Sequence, residues 1–176
     1  GLRWLEEIVS YAIASTYLKN EYPVSVLIIS EVESGKTMLI KKFENVKGCL
    51  LVTSFTRFGL LRDIFPKIKT KEIRTLLIPD LVQLVLGVSS SLHDAIITTL
   101  NALVEEGIRK ISSYYFTVEL SEDTKINIIS SLPKTVFTDK RRRRKWAGMG
   151  FLSRMLPVTY SYDKSTVAAI LEYIVS

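Results

Sequence analysis

Cysteine and histidine are almost absent from this chain of 176 residues, which has one of each, Cys49 and His93. A disulfide needs two cysteines, and a Cys/His zinc site needs about four ligands. We therefore exclude a disulfide framework, a Cys/His metal site and a Ser-His-Asp catalytic triad. A single cysteine in a strand-like run is typical of a small core residue in a reducing compartment, so we expect an intracellular protein.

Long apolar runs are also missing, since the longest stretches have only a few residues, whereas a membrane-spanning helix needs about 20. We expect no membrane span. Hydrophobic residues nevertheless make up 47% of the chain and charged residues 24%, which is typical of a globular protein. We predict one domain over 1–176, with an N-terminal helix in 1–22, a core in 23–163 and a C-terminal helix in 164–176.

The most informative motif is Ser-Glu-Val-Glu-Ser-Gly-Lys-Thr at residues 30–37. It follows a short β-branched run that predicts a buried strand, and apolar residues at helical spacing come after it. This context is typical of a P-loop, whose backbone N–H groups and helix N-terminus face phosphates. We predict that Lys36 contacts the β- and γ-phosphates of ATP and that the Thr37 hydroxyl holds Mg²⁺. The predicted nucleotide contacts are Ser30, Glu33, Ser34, Gly35, Lys36, Thr37 and Met38.

The motif departs from the P-loop pattern at its first position, where Ser30 replaces glycine. Glycine there permits a tight turn, and serine can replace it if φ stays negative. Alternatively, the segment is an ordinary strand–turn–helix in which Gly35 opens the turn.

A second motif, Leu-Leu-Ile-Pro-Asp at residues 76–80, predicts a carboxylate at the end of another strand. Pro79 cannot donate to a sheet ladder, so Asp80 should follow the strand at the edge where α/β sheets bind ligands. We predict that Asp80 joins Thr37 at the Mg²⁺ site; alternatively, it is a turn residue or the N-cap of the next segment. Leu81 stands where many strand-catalytic P-loop ATPases have a glutamate, so the catalytic base comes from elsewhere or hydrolysis is slow or absent.

The remaining patterns predict alternating helices and strands, and hence an α/β fold with a mostly parallel central sheet covered on both faces. We predict helices over 2–17, over 57–64 (stopped by Pro66) and over 166–175, and a long helix with Ser91 as N-cap and Gly107 as its stop. We predict strands over 48–54, 74–79 and 157–161, and a hairpin formed by 114–120 and 125–130.

Four segments, in their order along the chain, resemble the AAA+ ATPases, particularly archaeal and phage-encoded members. They are Ser30–Thr37, Leu76–Asp80, Ile126–Ser131 and the Gly-Phe-Leu-Ser-Arg element at 150–154. The Leu-Ser-Arg element is similar to that of minichromosome-maintenance helicases. The resemblance spans about residues 20–163. It implies a three-layer P-loop NTPase core in which the helical lid is reduced, absent or located beyond Ser176.

The resemblance also implies roles for two further positions. Ser130 or Ser131 corresponds to a polar residue between the P-loop and Asp80 that contacts the γ-phosphate or water, and we assign Ser130. Arg154 matches an arginine that enters the site of a neighbouring subunit and stabilises the transition state, which implies a ring-shaped homo-oligomer. Alternatively, Arg154 pairs with a surface acid.

Positive charge is concentrated in one place, because six consecutive cations at 140–145 account for the whole net charge of +6. This run suggests phosphate contacts with DNA through Arg141, Arg142, Arg143, Arg144 and Lys145, with Trp146 available to stack on a base. It also suits a subunit interface near a neighbour's nucleotide, or a plain exposed basic loop.

We therefore predict an ATP-binding and ATP-hydrolysing module that acts on DNA, such as a helicase or replication motor of a virus or mobile element. Its location would be the cytoplasm, or the host cytoplasm for a virus. The alternative is a non-hydrolysing P-loop module that binds nucleic acid through residues 140–146. A small-molecule kinase is disfavoured, because the clustered cations precede a Leu-Ser-Arg element rather than lining an acceptor pocket.

Overall fold

A computed structural model describes residues 2–19, 22–54, 59–86, 90–106, 110–112, 117–119 and 125–175. The α-helices are α1 Arg3–Ser15, α2 Lys36–Lys41, α3 Phe65–Lys69, α4 Leu81–Leu86, α5 Ser90–Asn101, α6 Lys134–Thr138, α7 Lys140–Gly148 and α8 Lys164–Val175. Leu60–Ile64 and Ala102–Glu106 form π-helical turns, and Leu152–Arg154 forms a 3₁₀ turn. The strands are β1 Ser25–Ser30, β2 Cys49–Leu51, β3 Thr75–Ile78, β4 Lys110–Ser112, β5 Thr117–Glu119, β6 Asn127–Pro133 and β7 Met155–Thr159.

Five of these strands form one sheet in the order β2-β3-β6-β1-β7, and every neighbouring pair in it is parallel. All six residues of β1 are buried, which explains the uninterrupted apolar run that predicted it. Because the strands are parallel, their carboxyl ends share one edge of the sheet. The predicted α/β fold with a mostly parallel sheet is confirmed.

The sheet separates two hydrophobic clusters, one on each face. Leu27 and Ile29 belong to the cluster that includes residues of α3, α5 and α7, whereas Val26 and Ile28 belong to the cluster with α1 and α2. This alternation follows from the two-residue period of a strand. The helices therefore cover the sheet on both faces.

The predicted hairpin of 114–120 with 125–130 is wrong. β6 instead lies in the main sheet, parallel to both β1 and β3, and β5 pairs antiparallel with β4. The buried Asn127 helps to hold β6 in place, since its Nδ2 donates to the carbonyls of Ala12 (2.7 Å) and Val24 (2.9 Å). Residues 113–116 and 120–124 lie outside the described residues.

Three local predictions also need correction. Pro66 does not stop a helix; it lies in the first turn of α3, where its missing N–H costs nothing. Ser91 lies inside α5 rather than at its N-cap. The basic run forms helix α7 rather than a loop. Residues 55–58 of the predicted short helix and the predicted stop at Gly107 fall outside the described ranges.

The other predicted elements are confirmed with small shifts of their ends: α1, β1, β2, β3, β7 and α8. Within the part of the chain that the structure describes, no helix has both the length and the apolar content needed to cross a bilayer.

Candidate nucleotide-binding site

A cavity of about 370 Å³ opens at the carboxyl edge of the sheet, where β1, β3 and β6 end. Its lining residues are Val32, Glu33, Ser34, Gly35, Lys36, Thr37, Met38, Pro79, Asp80, Ser131 and Pro133. The structure thus brings together Lys36, Thr37 and Asp80, which sequence analysis had placed on two different strand ends.

The loop between β1 and α2 has the backbone of a tight turn. Gly35 has φ +84° and Glu33 has φ +59°, both in the left-handed region. A non-glycine residue there is strained, and such strain is common at functional sites. Ser30 is the last residue of β1 and is not among the residues with positive φ. Serine is therefore sterically compatible with the first motif position, as the sequence analysis required.

Side-chain hydroxyls hold this loop closed. Ser30 Oγ and Ser34 Oγ share a hydrogen bond, and Ser34 Oγ also donates to the Glu31 carbonyl (2.7 Å). Tyr160, which follows β7, donates its phenolic proton to the Ser34 carbonyl (2.6 Å). Sequence analysis missed Tyr160, because no local pattern signals a contact between residues 126 positions apart.

Lys36 is buried against the loop that precedes it. Its Nζ donates to the carbonyls of Ser30 (3.3 Å) and Glu31 and to Ser34 Oγ (3.1 Å). Burial lowers the pKa of Lys36, and the nearby carboxylates of Asp80 and Glu31 oppose this shift. An anion placed beside Lys36 would offset the cost that burial imposes on its ammonium group.

Asp80 has a structural contact as well as a place at the cavity. Its Oδ1 accepts hydrogen bonds from the N–H groups of Val82 (2.8 Å) and Gln83 (3.3 Å), at the start of α4. The alternative interpretation of Asp80 as an N-cap is thus correct, but it does not compete with metal binding, since a carboxylate has two oxygens with about four lone-pair positions.

The two serines of β6 differ in their position. Ser130 is fully buried and donates its hydroxyl to the Ile78 carbonyl (2.9 Å), and it is not among the cavity-lining residues. Ser131 donates to the Pro79 carbonyl (2.5 Å) and does line the cavity. The geometry therefore does not support our assignment of Ser130 as the phosphate- or water-contacting residue and favours Ser131.

Arg154 lies at the amino ends of the strands, whereas the cavity lies at their carboxyl ends. It immediately precedes β7, whose first residue pairs with the first residue of β1. The length of β1 then separates Arg154 from the loop by roughly 20 Å at about 3.3 Å per residue. Its Nη1 donates to the Gly150 carbonyl (2.7 Å). Arg154 and the cavity of the same chain are therefore not brought together.

The basic run forms a helix with one buried aromatic residue. Trp146 is only 1% exposed and packs edge-to-face with Phe151 at a centroid distance of 6.5 Å. The predicted role of Trp146 in base stacking is therefore wrong, because its ring belongs to the core. The side chains of Lys140, Arg141, Arg143, Arg144 and Lys145 are exposed, and that of Arg142 is outside the described residues.

The chain matches no protein-family model, and a comparison with curated proteins also finds no match. The functional argument depends on the site alone. No three His, Cys, Asp or Glu side chains in the described ranges come together as a metal centre. The hard oxygen donors of Thr37 and Asp80 still fit Mg²⁺, which commonly takes one or two protein ligands and completes its shell with phosphate and water oxygens.

Proposed function

We propose that this chain binds ATP with Mg²⁺ and hydrolyses it, as an AAA+-like module that acts on DNA. One observation carries the nucleotide part: a single cavity joins the Gly35-Lys36-Thr37 turn after β1 to Asp80 after β3. Lysine for phosphate and hydroxyl plus carboxylate for Mg²⁺ are the groups that phosphoryl transfer requires.

The protein groups have separate tasks in this proposal. Lys36 would exchange its contacts with the loop carbonyls for contacts with the β- and γ-phosphates. The left-handed residues would let successive N–H groups of the loop form an anion-binding concavity. Thr37 and Asp80 would hold Mg²⁺, which neutralises charge developing on the phosphate oxygens. Ser131 would contact the γ-phosphate or the attacking water.

Hydrolysis needs groups beyond the cavity of one chain. Leu81 has a hydrocarbon side chain, which is fully buried, so the position after Asp80 supplies no base. Because Arg154 lies at the far edge of its own sheet, its proposed contact with a transition state requires the site of a neighbouring subunit. The proposal therefore includes a homo-oligomer, with the ring arrangement implied by the resemblance.

Calorimetry of the intact chain with ATP and Mg²⁺ tests the proposal. We expect saturable ATP binding by the unmodified chain. Lys36→Ala should weaken this binding about tenfold or more and should abolish ATP turnover. Lys41→Ala is the matched control, because Lys41 lies exposed on the same helix and should leave both unchanged. Absence of ATP binding by the unmodified chain, or equal binding by Lys36→Ala, would refute the proposal.

The second candidate function, nucleic-acid binding without hydrolysis, is favoured by the charge of α7. Cations placed at the start of a helix oppose its dipole, and like charges three or four residues apart repel each other. Exposed cations grouped on one helix form a surface suited to contacts with nucleic-acid phosphates. ATP turnover measured with and without DNA separates the two functions, because stimulation by DNA supports the motor and DNA binding without turnover supports the alternative.

The salt dependence of DNA affinity tests the role of α7. The double variant Arg141→Ala/Arg144→Ala should weaken DNA binding and reduce the slope of log affinity against log salt by about 0.9 for each lost phosphate contact. Lys67→Ala, an exposed cation on α3, is the control. An unchanged slope in the double variant would exclude α7 as the DNA-binding surface.

A further inference from the structure

A second cavity lies beside the phosphate site, next to the end of β7. It has a volume of about 330 Å³ and is lined by the start of α1, including Trp4, and by the segment after β7, including Tyr160, Tyr162 and Asp163. Neither the P-loop motif nor Asp80 requires this cavity, so it needs an explanation of its own.

Three of the residues that line it are aromatic: Trp4, Tyr160 and Tyr162. Tyr160 and Tyr162 pack edge-to-face, with centroids 5.7 Å apart and planes at 75°. The Trp4 side chain remains 43% exposed although it borders a concave surface. Aromatic rings that line a cleft are suited to stack on a planar ligand, and a nucleobase is such a ligand.

The aromatic cavity and the phosphate cavity meet at the P-loop. Tyr160 donates to the Ser34 carbonyl (2.6 Å) and lies 3.2 Å from Ser34 Oγ. The Tyr162 hydroxyl is 3.9 Å from the position that a Cβ on Gly35 would occupy. A ligand held by the loop therefore needs to extend past only Ser34 and Gly35 to reach the rings of Tyr160 and Tyr162.

The strand order gives the direction in which such a ligand would lie. β6 and β3, with Ser131 and Asp80, are on one side of β1, and β7 with its tyrosines is on the other. A nucleotide whose γ-phosphate and metal are near Asp80 therefore has its opposite end directed towards the aromatic cavity.

We propose that this aromatic cavity binds the nucleobase of the nucleotide, with the rings of Trp4 and Tyr162 against the base. Ser161 and Asp163 lie at its rim, where the ribose hydroxyls would pass. The inference rests on the proposed function, since it concerns the same bound nucleotide, but it assigns residues that phosphate binding does not use.

Calorimetry with two ligands, Mg²⁺–ATP and Mg²⁺–tripolyphosphate, separates base binding from phosphate binding. Trp4→Ala and Tyr162→Ala should each weaken ATP binding by about ten- to a hundredfold, as expected for loss of one stacking ring. Both variants should bind tripolyphosphate like the unmodified chain. Tyr162→Phe keeps the ring and should bind ATP normally. Tyr11→Ala removes an aromatic ring that is 73% exposed on the same helix as Trp4 and is the control.

The outcomes distinguish this inference from the proposed function. If both alanine variants bind ATP as tightly as the unmodified chain, or lose ATP and tripolyphosphate equally, the base-binding inference is wrong and the phosphate site stands. If the unmodified chain binds neither ligand, the proposed function fails and this inference fails with it. Circular dichroism of each variant confirms that the fold is retained.

Discussion

At the residue scale, the proposed phosphate site is built from side chains that also have structural contacts. Asp80 caps α4 through Oδ1 and lines the cavity, and Lys36 bonds the loop carbonyls that it would leave on binding phosphate. Substitutions that separate the two contacts of one residue are therefore the most informative.

Asp80 offers such a separation. Asp80→Asn keeps an oxygen for the cap but removes the charge that would hold Mg²⁺, so we expect near-normal stability and a loss of the Mg²⁺ dependence of ATP affinity. Asp80→Ala should lose both and be less stable by about 1 kcal/mol, as is typical for loss of an N-cap. Chemical denaturation and calorimetry with and without Mg²⁺ measure the two effects. Retained Mg²⁺ dependence in Asp80→Asn would contradict the metal assignment.

Lys36 should make the stability of the unliganded protein depend on pH. Because its pKa is lowered on folding, the unfolded chain binds more protons between that lowered pKa and 10.5, and stability rises with pH in this window. Lys36→Met removes this dependence. The stability of the parent relative to the variant should therefore rise as the pH approaches 10.5. Thermal unfolding at several pH values measures this relative stability, and a fall over the same window would contradict the burial of a charged Lys36.

At the element scale, α7 combines an exposed basic surface with a core anchor. The side chains of Lys140, Arg141, Arg143, Arg144 and Lys145 are exposed. Trp146 packs on Phe151 across the following turn. Asp139 accepts a hydrogen bond from the Arg141 N–H (2.9 Å) at the start of the helix. The helix can therefore present its charges from a fixed position rather than from a loop.

Loss of the anchor should affect folding rather than nucleic-acid contact. Trp146→Ala should lower the free energy of unfolding by about 3–5 kcal/mol, the usual cost of removing a buried aromatic side chain. Tyr11→Ala, on the exposed side of α1, should change it by no more than about 0.5 kcal/mol. Urea denaturation compares them. A Trp146→Ala variant as stable as the parent would show that this ring is not in the core.

At the scale of the whole molecule, the parallel sheet places Arg154 and the cavity at opposite edges. A single chain therefore carries the proposed phosphate site at one edge and the proposed transition-state arginine at the other. In this proposal two chains complement each other in a way that one chain cannot.

Mixing experiments test this complementation. Arg154→Ala should bind ATP normally but lose turnover by about 10³–10⁵-fold, and turnover by the unmodified chain should rise steeply with protein concentration. Lys36→Ala alone should also be inactive. A mixture of the two should regain activity, because an intact site then meets an intact arginine. Failure to regain activity, or turnover independent of concentration, would remove the trans role.

Local sequence patterns predicted most of the main sheet, because strands such as β1 and β3 are buried on both sides and appear as short apolar runs. They failed for β6. An apolar segment after a turn-like sequence suits either a hairpin or a central strand, and the choice depends on long-range partners such as Asn127 with Ala12.

The sequence by itself determined the strand–turn–helix around Gly35, Lys36 and Thr37, because that geometry depends on neighbouring φ angles and apolar spacing. Only the tertiary structure decided that Asp80 faces Lys36, that Ser131 rather than Ser130 lines the cavity, that Trp146 is buried, and that Tyr160 and Trp4 form a second cavity beside the loop. These contacts depend on the order in which parallel strands pair, and the free energy that fixes this order comes from burial between segments far apart in the chain.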